Sequence, residues 1–132
     1  MSGWNFFKNI FIVVSILALT GCQSIQKSPI YPAHDETLLY QLPYDLTYLR
    51  TLDALSNIHG WELDLTEKEK GIIRVRNLDW VRLDDSDTRM ITFSIRRVSR
   101  TQTSIQIAPE SQHTLGSGDL LKIINQYISA EL

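Results

Sequence analysis

An N-terminal apolar segment ends at the chain's only cysteine and limits how much of the sequence can enter a folded domain. Lys8 precedes an apolar run of about 10 residues from Ile10 to Leu19, and small residues follow it. A helix that spans a bilayer needs about 20 apolar residues, so this run is too short to span one. The pattern predicts an export signal over residues 1–21. The alternative is a short hydrophobic anchor that is never cleaved, which the apolar Trp4 and Phe7 favour.

The four residues Leu19-Thr20-Gly21-Cys22 resemble the lipobox of bacterial lipoproteins. The resemblance implies cleavage between Gly21 and Cys22, a diacylglycerol thioether on the Cys22 sulfur, and a further acyl chain such as palmitate on its amine. Two or more acyl chains hold a protein durably on a membrane, whereas one chain binds only marginally. Residue 23 is glutamine rather than aspartate. By the same resemblance, this favours the periplasmic side of the outer membrane.

Size, charge and cysteine content limit what the rest of the chain can be. Without the signal, about 110 residues remain, enough for one domain. We predict a lipidated flexible tether over residues 22–37 and a single periplasmic domain over 38–132. Lys8 is the only charge in the signal, so 12 basic residues remain against 15 acidic ones, which disfavours nucleic-acid binding. Lipidation of the only cysteine excludes an intramolecular disulfide, a thiol nucleophile and a cysteine zinc site.

Apolar spacing predicts a two-layer α+β domain. A first helix is predicted over 45–59, with Asp45 as its cap and Gly60 at its end. Its predicted buried face is formed by Leu46, Leu49, Leu52, Leu55 and Ile58 and is widened by Tyr48 and Ala54. A second helix is predicted over 119–129, capped by Ser117 or Asp119. Alternation predicts strands over 61–66, 72–76, 88–97 and 102–108, with a slip at 77–81 that indicates a bulge, and a brief strand or loop at 38–42. The expected fold is an antiparallel four- to five-strand meander with both helices packed on one face.

Three segments, in this order, resemble the helix-grip domains of small envelope lipoproteins, of which the C subunit of the outer-membrane β-barrel assembly machine is an example. The segments are Ile58-His59-Gly60, Trp61-Glu62-Leu63-Asp64-Leu65 and Lys70-Gly71-Ile72-Ile73-Arg74-Val75. The resemblance covers residues 38–129 and implies a helix-grip fold and a non-catalytic accessory domain. That subunit has two such domains and a long N-terminal stretch, so neither a specific role in barrel assembly nor any functional residue is carried over.

The residue types of enzymes and metal sites do not occur in the spacing that such chemistry needs. The acidic run at 84–87 lacks the central glycine and distal glutamate of a hand-type calcium loop, which favours a solvated turn. Gly116-Ser117-Gly118 lacks the preceding strand of a nucleophile elbow, which favours helix capping. The histidines also lack a metal-ligand spacing; they are His34, His59 and His113. We expect no enzymatic activity and no cofactor.

Arginine placement is the feature that most favours a recognition surface. If the side chains of five arginines on the predicted strands and turns meet on the exposed face of the sheet, they form a basic patch suited to carboxylates and phosphates. The patch would bind an acidic partner protein, lipid headgroups or an anionic envelope polymer. Pairing with Glu62, Asp64, Asp79 and the acidic turn at 84–87 is the alternative, and it would neutralise the patch. The candidate docking residues are Arg74, Arg76, Arg96, Arg97 and Arg100.

A gap between helices and sheet could instead hold an apolar ligand. The residues that would line such a gap suit a plain core equally well; they are Leu52, Leu55, Phe93, Tyr127 and Trp80. The leading expectation is an outer-membrane lipoprotein that acts as a non-enzymatic accessory or scaffold subunit of a cell-envelope complex. It would be held on the membrane through Cys22 and bound to an envelope protein. The alternative is a small binding module for an apolar or anionic envelope ligand.

Overall fold

A five-stranded antiparallel sheet carries the two α-helices of the domain. The computed structural model describes residues 33–78 and 89–131. Short 3₁₀ turns occupy Lys68–Lys70 and Pro109–Ser111. The predicted signal, Cys22, most of the tether, Trp80 with the slip at 79–81, and the acidic turn lie outside the described residues. The main elements are β1 (Thr37–Tyr40), α1 (Tyr44–Ser56), β2 (Trp61–Glu67), β3 (Ile72–Asn77), β4 (Met90–Arg97), β5 (Thr103–Ile107) and α2 (Ser117–Ala130).

The strand order is β1-β5-β4-β3-β2, so β2 to β5 form a meander and β1 completes the sheet beside β5. Phe93 stands between Ile73 and Ile107 in one cross-strand row, and none of the three has exposed surface. Both helices cover this face, because their buried side chains belong to the same core cluster. Those side chains are Leu55, Leu120, Ile124 and Ile128. The predicted α+β arrangement, with an antiparallel sheet and two helices, is confirmed.

The buried face of α1 differs from the predicted one. Leu46 and Leu49 are 39% and 53% exposed, so their predicted burial is wrong. A spacing of three drifts around a helix of 3.6 residues per turn, and nine residues place Leu46 and Leu55 about 180° apart. The sheet contacts the side that carries Leu55. The residues buried on that side are Thr47, Tyr48, Thr51, Ala54 and Leu55. The predicted burial of Tyr48, Ala54 and Leu55 is therefore confirmed.

The predicted side-chain caps are also wrong. Pro43 and Gly116 occupy the N-cap positions of α1 and α2, and no side-chain hydrogen bond caps either helix. Each helix begins earlier than predicted, so Asp45 lies inside the first turn, where a carboxylate still suits the helix dipole. Ser117 is buried, and its hydroxyl donates to the Gln112 carbonyl at 3.4 Å.

The first helix ends three residues before the predicted boundary. Its last residue is Ser56, and the Ile58 carbonyl accepts a bond from the Trp61 amide in the turn that follows. Gly60 has the expected left-handed conformation, with φ of 82°. It serves the turn into β2 rather than the end of the helix.

A register shift in β2 changes the side of the sheet that Leu65 occupies. Leu63 pairs with Val75 on the core side, but after the shift Leu65 pairs with Arg74. A bulge adds one residue to one strand and so reverses the alternation beyond it. The simple alternation predicted for 61–66 therefore holds only as far as Leu63, and Leu65 lies on the face opposite the helices.

Candidate docking groove

A groove of about 630 Å³ opens where three elements meet at one end of the sheet. The β2–β3 turn forms one wall, the C-terminal end of β4 forms the second, and the first turn of α1 forms the third. We call it the hairpin groove. Its lining residues are Tyr44, Asp45, Lys68, Glu69, Lys70, Ile95, Arg96 and Arg97.

Gly71 lets the walls of the groove approach each other closely. Its φ of 67° lies in the left-handed region, which only glycine adopts without a steric penalty. Its carbonyl accepts a hydrogen bond from the Ile95 amide at 2.7 Å. A Cβ at this position would overlap the Ile95 carbonyl oxygen and lie 3.0 Å from the Tyr44 hydroxyl. The glycine therefore fixes the β2–β3 turn against β4.

Tyr44 lines the groove, and the buried Tyr48 packs behind it. The Tyr44 hydroxyl donates to the Lys68 carbonyl, and the Tyr48 hydroxyl donates to the Ile72 carbonyl at 3.2 Å. Their ring centroids are 6.1 Å apart. Burial raises the pKa of both phenols. They therefore stay neutral at physiological pH and hold α1 against the β2–β3 turn.

Two ion pairs compensate the lysines of the groove. The Lys68 ammonium lies 2.7 Å from the Asp45 carboxylate, and Lys70 lies 3.0 Å from Glu67. The hydrogen bond from Lys68 holds the pKa of Asp45 below its ordinary value, and the same bond raises the pKa of Lys68. The Lys68–Asp45 pair joins the turn to α1, but both groups are exposed, so it contributes little to stability.

Arg96 and Arg97 remain without a carboxylate partner in the described part of the chain. The guanidinium of Arg97 lies 5.4 Å from the centre of the Tyr44 ring, and Arg96 makes a long 3.4 Å contact with the Ser94 hydroxyl. Arg100 lies in the exposed turn between β4 and β5. Four cationic and two acidic side chains line the groove, so it carries net positive charge on a chain whose net charge is −2.

The structure separates the five arginines that the sequence grouped together. Arg74 bonds Asp64 at 2.6 Å, and Arg76 bonds Glu62 across the same two strands. These two are the cross-strand pairs expected under the alternative reading. Arg96 and Arg97 line the hairpin groove, and Arg100 lies in the turn that follows β4. No ion pair joins these three to a carboxylate within residues 33–78 and 89–131. Among the described residues, these three arginines are the part of the predicted patch that no carboxylate pairs.

Of the five predicted liners of an apolar ligand gap, Trp80 lies outside the described residues, and the other four lie in the core or pack against it. Leu55 and Phe93 have no exposed surface, and Leu52 packs against the core cluster. The Tyr127 hydroxyl is hydrogen-bonded to the Asp53 carboxylate, which ties α2 to α1. These side chains thus fill the space between the helices and the sheet, and the groove described above lies outside it.

The histidines and Ser117, which the sequence did not assign to a site, are dispersed in the structure. His34 lies beside Glu36 at 3.8 Å, on the chain that leads into β1, whereas His59 precedes β2. Ser117 has no exposed surface, so its hydroxyl is not presented to a substrate. Within the described ranges, no group of three or more histidine, cysteine or carboxylate side chains could hold a metal ion. No helix found there is long and apolar enough to cross a bilayer.

Sequence reasoning missed Tyr44, Lys68 and Lys70 as members of the groove. The charged turn 67–71 was recognised, but only as a connection between strands. A turn that holds two lysines beside a glycine is a signal for a cationic surface, yet its proximity to α1 and β4 depends on the sheet. The sequence matches no protein-family model, and a search of curated proteins finds no match.

Proposed function

We propose that this protein is a lipid-anchored protein of the bacterial outer membrane whose domain docks a partner of a cell-envelope complex. Lipidated Cys22 would hold it on the periplasmic side, and the domain would act as a non-enzymatic accessory subunit. One observation carries the docking role: Arg96 and Arg97 line the hairpin groove, Arg100 lies in the exposed turn that follows β4, and none of the three has a carboxylate partner among the described residues.

The contrast with the central arginines supports this role. Arg74 and Arg76 are compensated by neighbouring carboxylates, so they offer little net charge to a partner. An uncompensated guanidinium presents a rigid fork of donors that matches carboxylate geometry. Complementary charge mainly sets partner choice and association rate. A groove with such donors suits recognition of an acidic surface.

A small anionic ligand is the second candidate for the same groove. Its volume of about 630 Å³ lies within the usual range of small-molecule sites. Its lining is largely charged, which favours an anion over the apolar ligand that the sequence also allowed. The fully buried positions of Leu55 and Phe93 further disfavour an apolar ligand between helices and sheet.

The anchor rests on the resemblance of residues 19–22 to a lipobox, and mass spectrometry tests it. We expect the mature chain purified from native membranes to begin at Cys22 and to carry a diacylglycerol thioether with a further acyl chain. Substitution Cys22→Ala should abolish incorporation of a labelled fatty acid. An unmodified thiol behind an intact leader would contradict the proposal.

The docking role is tested by crosslinking in intact envelopes. In the full-length protein, the combined change of Arg96, Arg97 and Arg100 to glutamine should remove the partner bands that wild type yields. The matched control changes Arg74 and Arg76 to glutamine and should retain them, because exposed ion pairs contribute little to folding. Circular dichroism checks that both variants are folded. Unchanged bands in the triple variant would contradict the role.

A further inference from the structure

We propose that the hairpin groove points away from the membrane and binds an acidic segment of a partner protein rather than lipid headgroups. This inference rests on the proposed function, because it assumes the lipid anchor at Cys22. It adds the direction in which the groove faces and the chemistry of its occupant.

The chain reaches the sheet at the end opposite the groove. In β1, Thr37 pairs with Gln106 and Tyr40 pairs with Thr103, which in turn pairs with Arg97 of β4. Tyr40 is therefore level with the groove end of the sheet, and the chain before β1 leads toward the other end.

His34 marks that opposite end. Its amide donates to the Gln112 carbonyl at 3.0 Å, beyond the C-terminal end of β5. Six residues separate it from Tyr40 along the chain, and an extended chain of that length covers about 20 Å. The point at which the anchored segment joins the domain thus lies up to about 20 Å from Arg97.

Charge screening decides between headgroups and protein as the occupant. The Debye length at physiological ionic strength is about 8 Å. With the attachment end of the domain turned toward the leaflet, the arginines lie up to about 20 Å beyond that end, more than two Debye lengths away, where headgroup charge is largely screened.

The arrangement of the cations favours a segment with several separate carboxylates. Arg96 and Arg97 are consecutive residues at the C-terminal end of β4, so their side chains point to opposite faces of the sheet. Arg97 is held over the Tyr44 ring, and Val98 beside it is 54% exposed. Asp45 and Glu69, on the other two walls, would repel an acidic segment placed there. We infer that an extended acidic segment runs along the β4 side of the groove.

Binding is tested with the full-length lipidated protein on vesicles and a fluorescent peptide of six glutamate and aspartate residues. Anisotropy should show binding on phosphatidylcholine vesicles and on vesicles that contain phosphatidylglycerol, with dissociation constants that agree within about twofold. Changing Arg96, Arg97 and Arg100 to glutamine removes charge-assisted bonds and should weaken binding by about tenfold or more. The Arg74→Gln, Arg76→Gln control should bind like wild type.

Orientation is tested on the same vesicles with a single fluorophore. Lipidation occupies Cys22, so Val98→Cys provides one free thiol at the groove end, and Asp35→Cys provides one at the attachment end. A headgroup-linked quencher should quench the label at position 35 more strongly than the label at position 98, whatever the lipid charge. The inference is supported when the peptide and quenching results both agree with it.

Two results would overturn the inference. One is quenching at position 98 that equals or exceeds quenching at position 35, because the groove would then not face away from the leaflet; where the triple arginine change relieves it on anionic vesicles, headgroups are the occupant. The other is peptide binding that is absent or indifferent to that change. The proposed function fails separately, through an unlipidated Cys22 or through envelope crosslinks that do not depend on Arg96, Arg97 and Arg100.

Discussion

Replacing Gly71 by alanine should destabilise the domain by about 3 kcal/mol. Part of this arises because Gly71 has φ of 67°, a left-handed conformation that costs an L-residue about 1–2 kcal/mol. The remainder comes from the new Cβ, which would overlap the Ile95 carbonyl oxygen and lie 3.1 Å from its carbonyl carbon. Relief of the overlap must move β3 from β4 and weaken the Gly71–Ile95 hydrogen bond, worth about 1 kcal/mol.

Two other glycines separate these contributions. Gly116 has φ of 93°, but its added Cβ would meet only the ring edge of Trp61 at 3.3 Å, so Gly116→Ala should cost about 1–2 kcal/mol. Gly118 lies in α2, and its added Cβ would meet the half-buried imidazole of His34, which can rotate away. Since alanine is the better helix former, by up to about 1 kcal/mol, Gly118→Ala should be nearly neutral or stabilising.

Urea denaturation followed by circular dichroism measures all three variants in one background. A loss of 3 kcal/mol corresponds to a midpoint shift of roughly 2 M when the slope is about 1.5 kcal/mol/M. In thermal unfolding it corresponds to about 12–24 °C for a domain of this size. A Gly71→Ala variant within about 1 kcal/mol of wild type, or no less stable than Gly116→Ala, would refute the close approach of backbone at the groove.

Three further outcomes are expected. Burial raises the pKa of Tyr40 to about 12 from 10.0, so the folded state holds this proton more tightly. The resulting stabilisation is complete below pH 10 and is lost as the pH rises toward 12. Tyr40→Phe should therefore flatten the decline in unfolding free energy that urea titration measures over this range. Leu55→Ala should lower the free energy of unfolding by about 2–5 kcal/mol and Leu49→Ala by less than about 0.5 kcal/mol, because only Leu55 is buried. Equal decreases in the urea midpoints of the two variants would contradict the observed buried face of α1. A double-mutant cycle of Arg74→Gln and Asp64→Asn should give a coupling below about 1 kcal/mol that falls with added salt, and a larger, salt-independent value would show that the pair is not an exposed one.

Local pattern was sufficient to predict the types and order of the main elements. Strand alternation depends on side chains that point to opposite faces in turn, which is a property of the chain itself. The turn at Gly71 was predictable for the same reason, because a charged stretch with glycine interrupts two alternating runs. Helix boundaries were less predictable. The apolar spacing of α1 continues to Ile58, but the segment from Asn57 to Gly60 forms a turn.

The buried face of α1 could not be read from leucine spacing. Leu46 and Leu49 are as apolar as Leu55, but they lie on the side that the sheet does not contact. Thr51 is buried although it is polar, because its hydroxyl donates to the Thr47 carbonyl at 2.7 Å. A local hydrogen bond of this kind removes the cost of burial that composition alone would assign.

The amino-acid sequence alone determined the lipobox-like segment and the α+β succession of elements. It also determined that several arginines lie on the predicted strands 72–76 and 88–97. Tertiary structure decided which arginines keep their charge available. The reason is that ion pairing depends on which side chains come within a few ångströms of one another, and that depends on strand register. Cross-strand register brings Arg74 to Asp64 and Arg76 to Glu62, whereas Arg96 and Arg97 lie at a strand end beside a tyrosine ring and a backbone turn.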